Sequence, residues 1–177
     1  MDSGPTDEAD ESSSDGLSSR PPQQKDLTDL CRILNRLGAR YVVIGGFAVI
    51  RAGYPRFTAD LDLIIALDPE NEARVYEALR SLPDRAVDEL DPGDVAKFAV
   101  VRVNDEITVD LMGSASGIRY EEAAKDIVIR RIGDVEVPFA SPRLLWRMKK
   151  STHREKDAAD LLFLRKWFEA RGEQPPD

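Results

Sequence analysis

The stretch Val43-Ile44-Gly45-Gly46-Phe47-Ala48-Val49-Ile50-Arg51-Ala52-Gly53-Tyr54-Pro55-Arg56-Phe57-Thr58-Ala59-Asp60-Leu61-Asp62-Leu63 decides the fold. Tyr41 to Ile44 is short, apolar and rich in β-branched residues, which predicts a buried strand. Gly45-Gly46 then turns the chain into a short helix, Phe47 to Ala52, stopped by Gly53-Tyr54-Pro55. From Asp60 to Ala66 the alternation of Asp60 and Asp62 with Leu61, Leu63 and Ile65 predicts a second strand with its acids on one face.

Two carboxylates one residue apart on a strand project from the same face, about 7 Å apart. At an effective dielectric of about 20 each such pair costs roughly 2 to 3 kcal/mol, so a third acid brought close calls for a cation. Asp110 is the third. Lys97 to Val103 and Glu106 to Leu111 read as strands joined at Asn104-Asp105, a pair that tolerates the positive φ of a two-residue hairpin. Ile107, Val109 and Leu111 then face one way, and Glu106, Thr108 and Asp110 the other. Hard oxygen ligands without histidine or thiolate predict Mg²⁺ or Mn²⁺, with two ions expected, held by Asp60, Asp62 and Asp110. Among the three, Asp110 is expected to take a proton from an acceptor hydroxyl. The glycine pair lets backbone N–H groups approach a phosphate at the positive end of the following helix, although a glycine pair also commonly ends a strand.

Outward from this centre, Leu27, Leu30, Cys31, Leu34 and Leu37 recur at helical spacing up to Gly38. A helix opens at Pro69, with Val75, Leu79 and Leu82 on its apolar side, and Arg85 to Asp94 reads as a loop. A hairpin joins Ile127–Ile132 to Val135–Phe139 through Gly133-Asp134, and residues 141–170 are helical, with Trp146 and Trp167 as packing residues. For Lys149, Lys150, Arg154 and Lys156 a solvated basic helix end competes with a phosphate-binding surface. Helix ion pairing and capping suffice for Glu155, Asp157 and Asp160.

The chain has 177 residues, 42% of them apolar, enough for one domain with a core. Its net charge of -8 is concentrated in residues 1–24, where six acids face Arg20 alone, a net of -5 that leaves -3 for the rest. That segment is rich in Ser, Pro, Asp and Glu and is expected to be disordered, with a single domain over residues 25–177. Its acidity, the lack of an apolar leader and the lack of a membrane-spanning segment predict a soluble, cytoplasmic protein. Cys31, the one cysteine, falls on an apolar helical face, which places it in the core and excludes a disulfide framework and a thiolate metal cluster. The single His153 lies in KKSTHREKD and no GxSxG turn is present, which argues against a Ser-His-Asp hydrolase.

The order Ile44-Gly45-Gly46, Asp60-Leu61-Asp62, then Asp110 resembles the nucleotidyltransferase superfamily, the fold of DNA polymerase β. More narrowly, GGFAVIRAGYPRFTADLDL is similar to AbiEii-type nucleotidyltransferases and the small stand-alone bacterial proteins related to them, over roughly residues 40 to 165. The resemblance implies an α/β fold of the α+β kind: a mixed, mostly antiparallel sheet carrying the acids, flanking helices and a C-terminal helical part. It implies transfer of NMP from an NTP to an acceptor hydroxyl with release of pyrophosphate, ATP being one such donor. By the same resemblance Gly45 and Gly46 border the triphosphate, Arg56 and Thr58 match the Arg-x-Thr/Ser ahead of the metal motif and belong to the nucleotide site with Arg56 as a candidate phosphate contact, and Lys149, Arg154 and Lys156 are candidates to reach phosphate from the C-terminal helices. Phe47 departs from the Ser or Thr of many polymerase-like members, as it commonly does in AbiEii-like relatives.

An AbiEii-like resemblance implies a macromolecular acceptor, a tRNA or RNA end or a protein, and a cognate toxin or antitoxin protein in a toxin-antitoxin or phage-defence setting. The alternatives are transfer to a small molecule, as in lincosamide-type antibiotic nucleotidyltransferases, and a non-catalytic nucleotide-binding or antitoxin-like module. A metal-binding DxD also occurs in glycosyltransferases, which usually place a longer nucleotide-binding sheet ahead of it.

Overall fold

A computed structural model describes residues 18–177. In chain order the elements are α1 (Gln24–Arg36), β1 (Tyr41–Ile44), α2 (Gly45–Ala52), β2 (Asp60–Ile65), α3 (Pro69–Leu79), α4 (Asp94–Lys97), β3 (Val101–Asn104) and β4 (Thr108–Met112). Then follow β5 (Ser114–Ala115), β6 (Ile118–Arg119), α5 (Tyr120–Ala123), β7 (Ile127–Ile132), β8 (Val135–Ala140), α6 (Pro142–Lys149) and α7 (Glu155–Glu169). The main sheet has the order β3-β4-β2-β1-β8-β7, and β5 and β6 pair separately. Strand β2 runs antiparallel to β1 and parallel to β4, β1 runs parallel to β8, and the two outer pairs are antiparallel. This is the expected mixed, mostly antiparallel sheet with flanking helices.

The core follows the predicted periodicities. Leu27, Leu30, Cys31 and Leu34 of α1 are buried, and α1 packs on β8 and α3. Burial pushes the Cys31 thiol up to about 12, which leaves it a protonated core residue at neutral pH. Ser141 caps α6 by accepting from the Leu144 N–H, with Pro142 in the first turn, and α6 and α7 pack together. Trp146 and Trp167 pack edge-on against Phe168, as packing residues do.

The expected disorder of residues 1–24 lies, for residues 1–17, outside the described residues. Residues 18–23 run along the β3–β4 turn, where the Arg20 N–H donates to the Glu106 carbonyl at 2.9 Å and the Ser19 hydroxyl to the Asp105 carbonyl at 2.7 Å. The disorder expectation therefore does not extend to them. That turn also differs from expectation. β3 ends at Asn104 and β4 starts at Thr108, and neither Asn104 nor Asp105 adopts positive φ. The buried Asp105 carboxylate instead accepts the N–H groups of Asp84, Ala86 and Glu106 at 3.0, 2.9 and 2.8 Å, so the connection is longer and folds inward. The segment expected as a loop, Arg85 to Asp94, holds a 3-10 turn over Ala86–Glu89 and leads into the single turn α4. Glu72, buried on α3, accepts from the Gly93 and Val95 N–H groups and fixes that turn.

Candidate active site

Strand register assembles the acids. Asp62 on β2 lies directly opposite Asp110 on β4, and Asp60 opposite Thr108. Parallel neighbours about 4.8 Å apart point equivalent residues to the same face, so Asp60, Asp62 and Asp110 converge. Each offers a carboxylate oxygen, and these atoms all lie within 4.8 Å of one another. Burial first, then Asp110 and Asp60, push the Asp62 carboxyl up to about 6, against the opposing pull of Lys156 and Lys149. A partly buried acid that repels two others is a donor set short of positive charge.

On β1, Ile44 lies opposite Asp62, so the glycine turn that follows is brought against that carboxylate. Gly45 has φ +65, and a Cβ built on it would stand 2.0 Å from Asp62 Oδ2. A Cβ on Gly46 would stand 2.4 Å from the Thr58 hydroxyl. Both glycines are required by close approach of site side chains, besides what they offer a phosphate. Thr58 donates its hydroxyl to the Asp60 carbonyl at 3.1 Å and so braces the start of β2. Phe47 points into the core and offers nothing to the site.

The acids floor a cleft of about 870 Å³. The glycine turn and Thr58 line it, as do the exposed side chains of Phe57 and Val100, and Lys149, Arg154 and Lys156 contribute from the C-terminal helices and the link between them. All ten residues singled out in the sequence thus face one cleft. Their freedom differs. Arg56 makes a two-pronged ion pair with Asp160, Nε to Oδ1 at 2.8 Å and Nη2 to Oδ2 at 3.0 Å. Lys149, for which a solvated helix end competed with a phosphate contact, is instead buried and bridges Asp157 at 2.8 Å and Asp160 at 3.0 Å. The reason is that α7 turns Asp157 and Asp160 inward on the face that continues as Leu164 and Phe168, so these acids do far more than cap a helix. Arg154 pairs with Asp157 at 2.7 Å yet stays largely exposed, and Lys156 is exposed at the rim.

Sequence reasoning missed Arg102. From β3 it lies opposite Asp110 and grips both its oxygens, Nε to Oδ1 at 2.9 Å and Nη2 to Oδ2 at 2.8 Å, while Nη2 also reaches Asp60 Oδ2 at 3.2 Å. A guanidinium thus lies on two of the three carboxylates.

No protein-family profile matches the chain, and no curated protein sequence matches it. Among solved structures, its fold is similar to an antigenic nucleotidyltransferase-like protein from Paracoccidioides brasiliensis, with a TM-score of 0.52 and 19% identity over 82% of this chain and 75% of that one. Two weaker likenesses are to a candidate nucleotidyltransferase from Thermotoga maritima, TM-score 0.49, 16% identity, 83% of this chain and 92% of that one, and to one from H. pylori, TM-score 0.45, 20% identity, 84% and 72%. Among the described residues no helix is long and apolar enough to cross a membrane. The sheet order, the acids on adjacent parallel strands and the glycine turn against them give this chain the nucleotidyltransferase fold.

Proposed function

We propose that this chain transfers a nucleoside monophosphate from an NTP to an acceptor hydroxyl and releases pyrophosphate. The observation that carries this reading is the convergence of Asp60, Asp62 and Asp110 beside Gly45, on the floor of one cleft. An all-carboxylate donor set with one acid pushed up by burial and then by its acidic neighbours suits a hard divalent cation, Mg²⁺ or Mn²⁺. Asp60, Asp62 and Asp110 would hold the metal, which would supply electrophilic polarisation of the phosphates and acidify the attacking hydroxyl.

The chain's own groups do the rest. The glycine turn leaves room for a triphosphate at the start of α2, and Lys156 and Arg154 supply positive charge at the rim. Arg56 and Lys149 are committed to Asp160 and Asp157 and act by holding α7 and the Arg56-Phe57-Thr58 segment in place. Asp110 receives the acceptor proton once its oxygens are released from Arg102. Phe57 and Val100 offer apolar surface beside the acids for a base or an acceptor.

The likeness of GGFAVIRAGYPRFTADLDL to AbiEii-type proteins favours an RNA end or a protein as acceptor and a toxin-antitoxin setting. The test is transfer of label from each α-labelled NTP, with Mg²⁺ or Mn²⁺, into a cell extract separated into RNA, protein and small molecules, with Asp110→Ala as control. Label in one macromolecular fraction with the wild type alone supports the reading, and label in the small-molecule fraction gives an antibiotic-type transferase instead. Bound NTP without transfer gives a non-catalytic module.

A further inference from the structure

We infer that Arg102 is a resident cation of the acid site, which competes with the divalent ion for Asp110 and Asp60 and must leave them before the site is loaded. The inference rests on the reading of the three acids as a metal site.

Three observations carry it. The first is contact: the guanidinium engages both Asp110 oxygens and one of Asp60, the same atoms a hard cation requires. The second is position. Arg102 is on the sheet's edge strand β3, directly across the ladder from Asp110, so its place over the acids is set by register. The third is freedom to move. Asp110 is only 7% exposed and Asp60 22%, whereas the Arg102 side chain is 54% exposed, so the arginine can swing into the open cleft without unpacking the sheet.

The physical logic is charge balance. Three carboxylates held this close repel one another, and one guanidinium offsets part of that repulsion in the absence of metal. Among the described residues it leaves Asp62 without a hydrogen-bond or ion-pair partner, so the compensation is partial and a divalent ion still has a carboxylate to approach first. A divalent ion and a guanidinium cannot share Asp110 without like-charge repulsion at short range. Loading therefore displaces Arg102, which keeps the metal affinity moderate and frees Asp110 only when metal is present.

The experiment is a Mn²⁺ titration of the full chain followed by EPR, comparing wild type with Arg102→Gln, Arg102→Lys and Asp110→Asn. Arg102→Gln is expected to bind Mn²⁺ at least about tenfold more tightly than wild type, Arg102→Lys less so, and Asp110→Asn far more weakly. Equal or weaker binding by a folded Arg102→Gln overturns the inference and leaves the metal site standing. Binding by none of the proteins overturns both. The wild type gives an independent check if the glutamine variant does not fold: the Arg102 Nε–H resonance, assigned through its absence in Arg102→Lys, should shift with Mg²⁺ along the binding curve. A resonance unchanged at saturation shows that the arginine stays on Asp110 and contradicts displacement.

Discussion

Asp62 lies between the glycine turn and Asp110, and its carboxyl is held up at about 6 by burial and by its acidic neighbours. Because the folded state raises its pKa above the ordinary value of 3.8, the neutral acid contributes stability at low pH that is lost as pH rises from about 4 through about 6. The shift corresponds to about 2 to 3 kcal/mol. In chelator-containing buffer, urea unfolding of the wild type relative to Asp62→Asn should show a loss of this order between pH 4 and pH 7. A difference that does not vary with pH contradicts the burial and charge crowding described. Gly45 gives a second test at this scale. Substitution by alanine forces a non-glycine residue into φ +65, which costs about 1 to 2 kcal/mol, and drives its Cβ into Asp62. Gly45→Ala should lose at least about 2 kcal/mol in urea unfolding and most of its Mn²⁺ affinity, and wild-type values of both would exclude the close approach. Both roles rest on residues visible in the sequence. The glycine pair and the alternating acids are local patterns, and local patterns carry their geometry with them.

At the scale of elements, α7 is held to the site by charge as well as by its apolar face. Asp157 and Asp160 are buried against Lys149, Arg56 and Arg154, and removing one member leaves uncompensated charge in the interior. Asp160→Ala should lower stability by about 3 kcal/mol and raise KM for NTP through release of Arg56, as thermal unfolding and steady-state kinetics would show. A change under 0.5 kcal/mol would mean that the network is ornamental. Burial alone would push the Asp157 carboxyl up, but hydrogen bonds from Lys149, Thr152 and Arg154 outweigh it and hold it at about 2. Its contribution is thus present above about pH 4 and lost as pH falls towards 2, so acid unfolding of Asp157→Asn should be shallower than that of the wild type in that window. The network was legible only in part. EKDAADLLFLRKWF shows the acids in phase with Leu164 and Phe168, the signal of an inward polar end, but charges at helical spacing also suit a solvated face. Arg102 was hidden for a sharper reason. A two-residue turn at Asn104-Asp105 would have set Ala99 opposite Asp110, and the longer turn actually built around the buried Asp105 sets Arg102 there. Register depends on a side chain's long-range partners, which the turn residues alone do not reveal.

Across the whole molecule, the fold was legible because one apolar strand, one glycine turn and one acidic strand fix the centre of the sheet, and the elements around them have clear periods. What a single sequence leaves unwritten is which strands become neighbours. The parallel pairing of β2 with β4 is non-local, and it turns three separate aspartates into one site. The net charge of -8 stands against broad attraction to nucleic acid, so any RNA acceptor must be drawn by the local positive rim of Arg154 and Lys156. The most direct test of the central claim compares the fate of α- and γ-labelled NTP in one reaction, with Mg²⁺, an acceptor-containing extract, and wild type against Asp62→Asn. Nucleotidyl transfer predicts α-label joined to the acceptor and γ-label released as pyrophosphate in equal amount, by the wild type alone. Transfer of γ-label, or equal transfer by Asp62→Asn, would contradict the account.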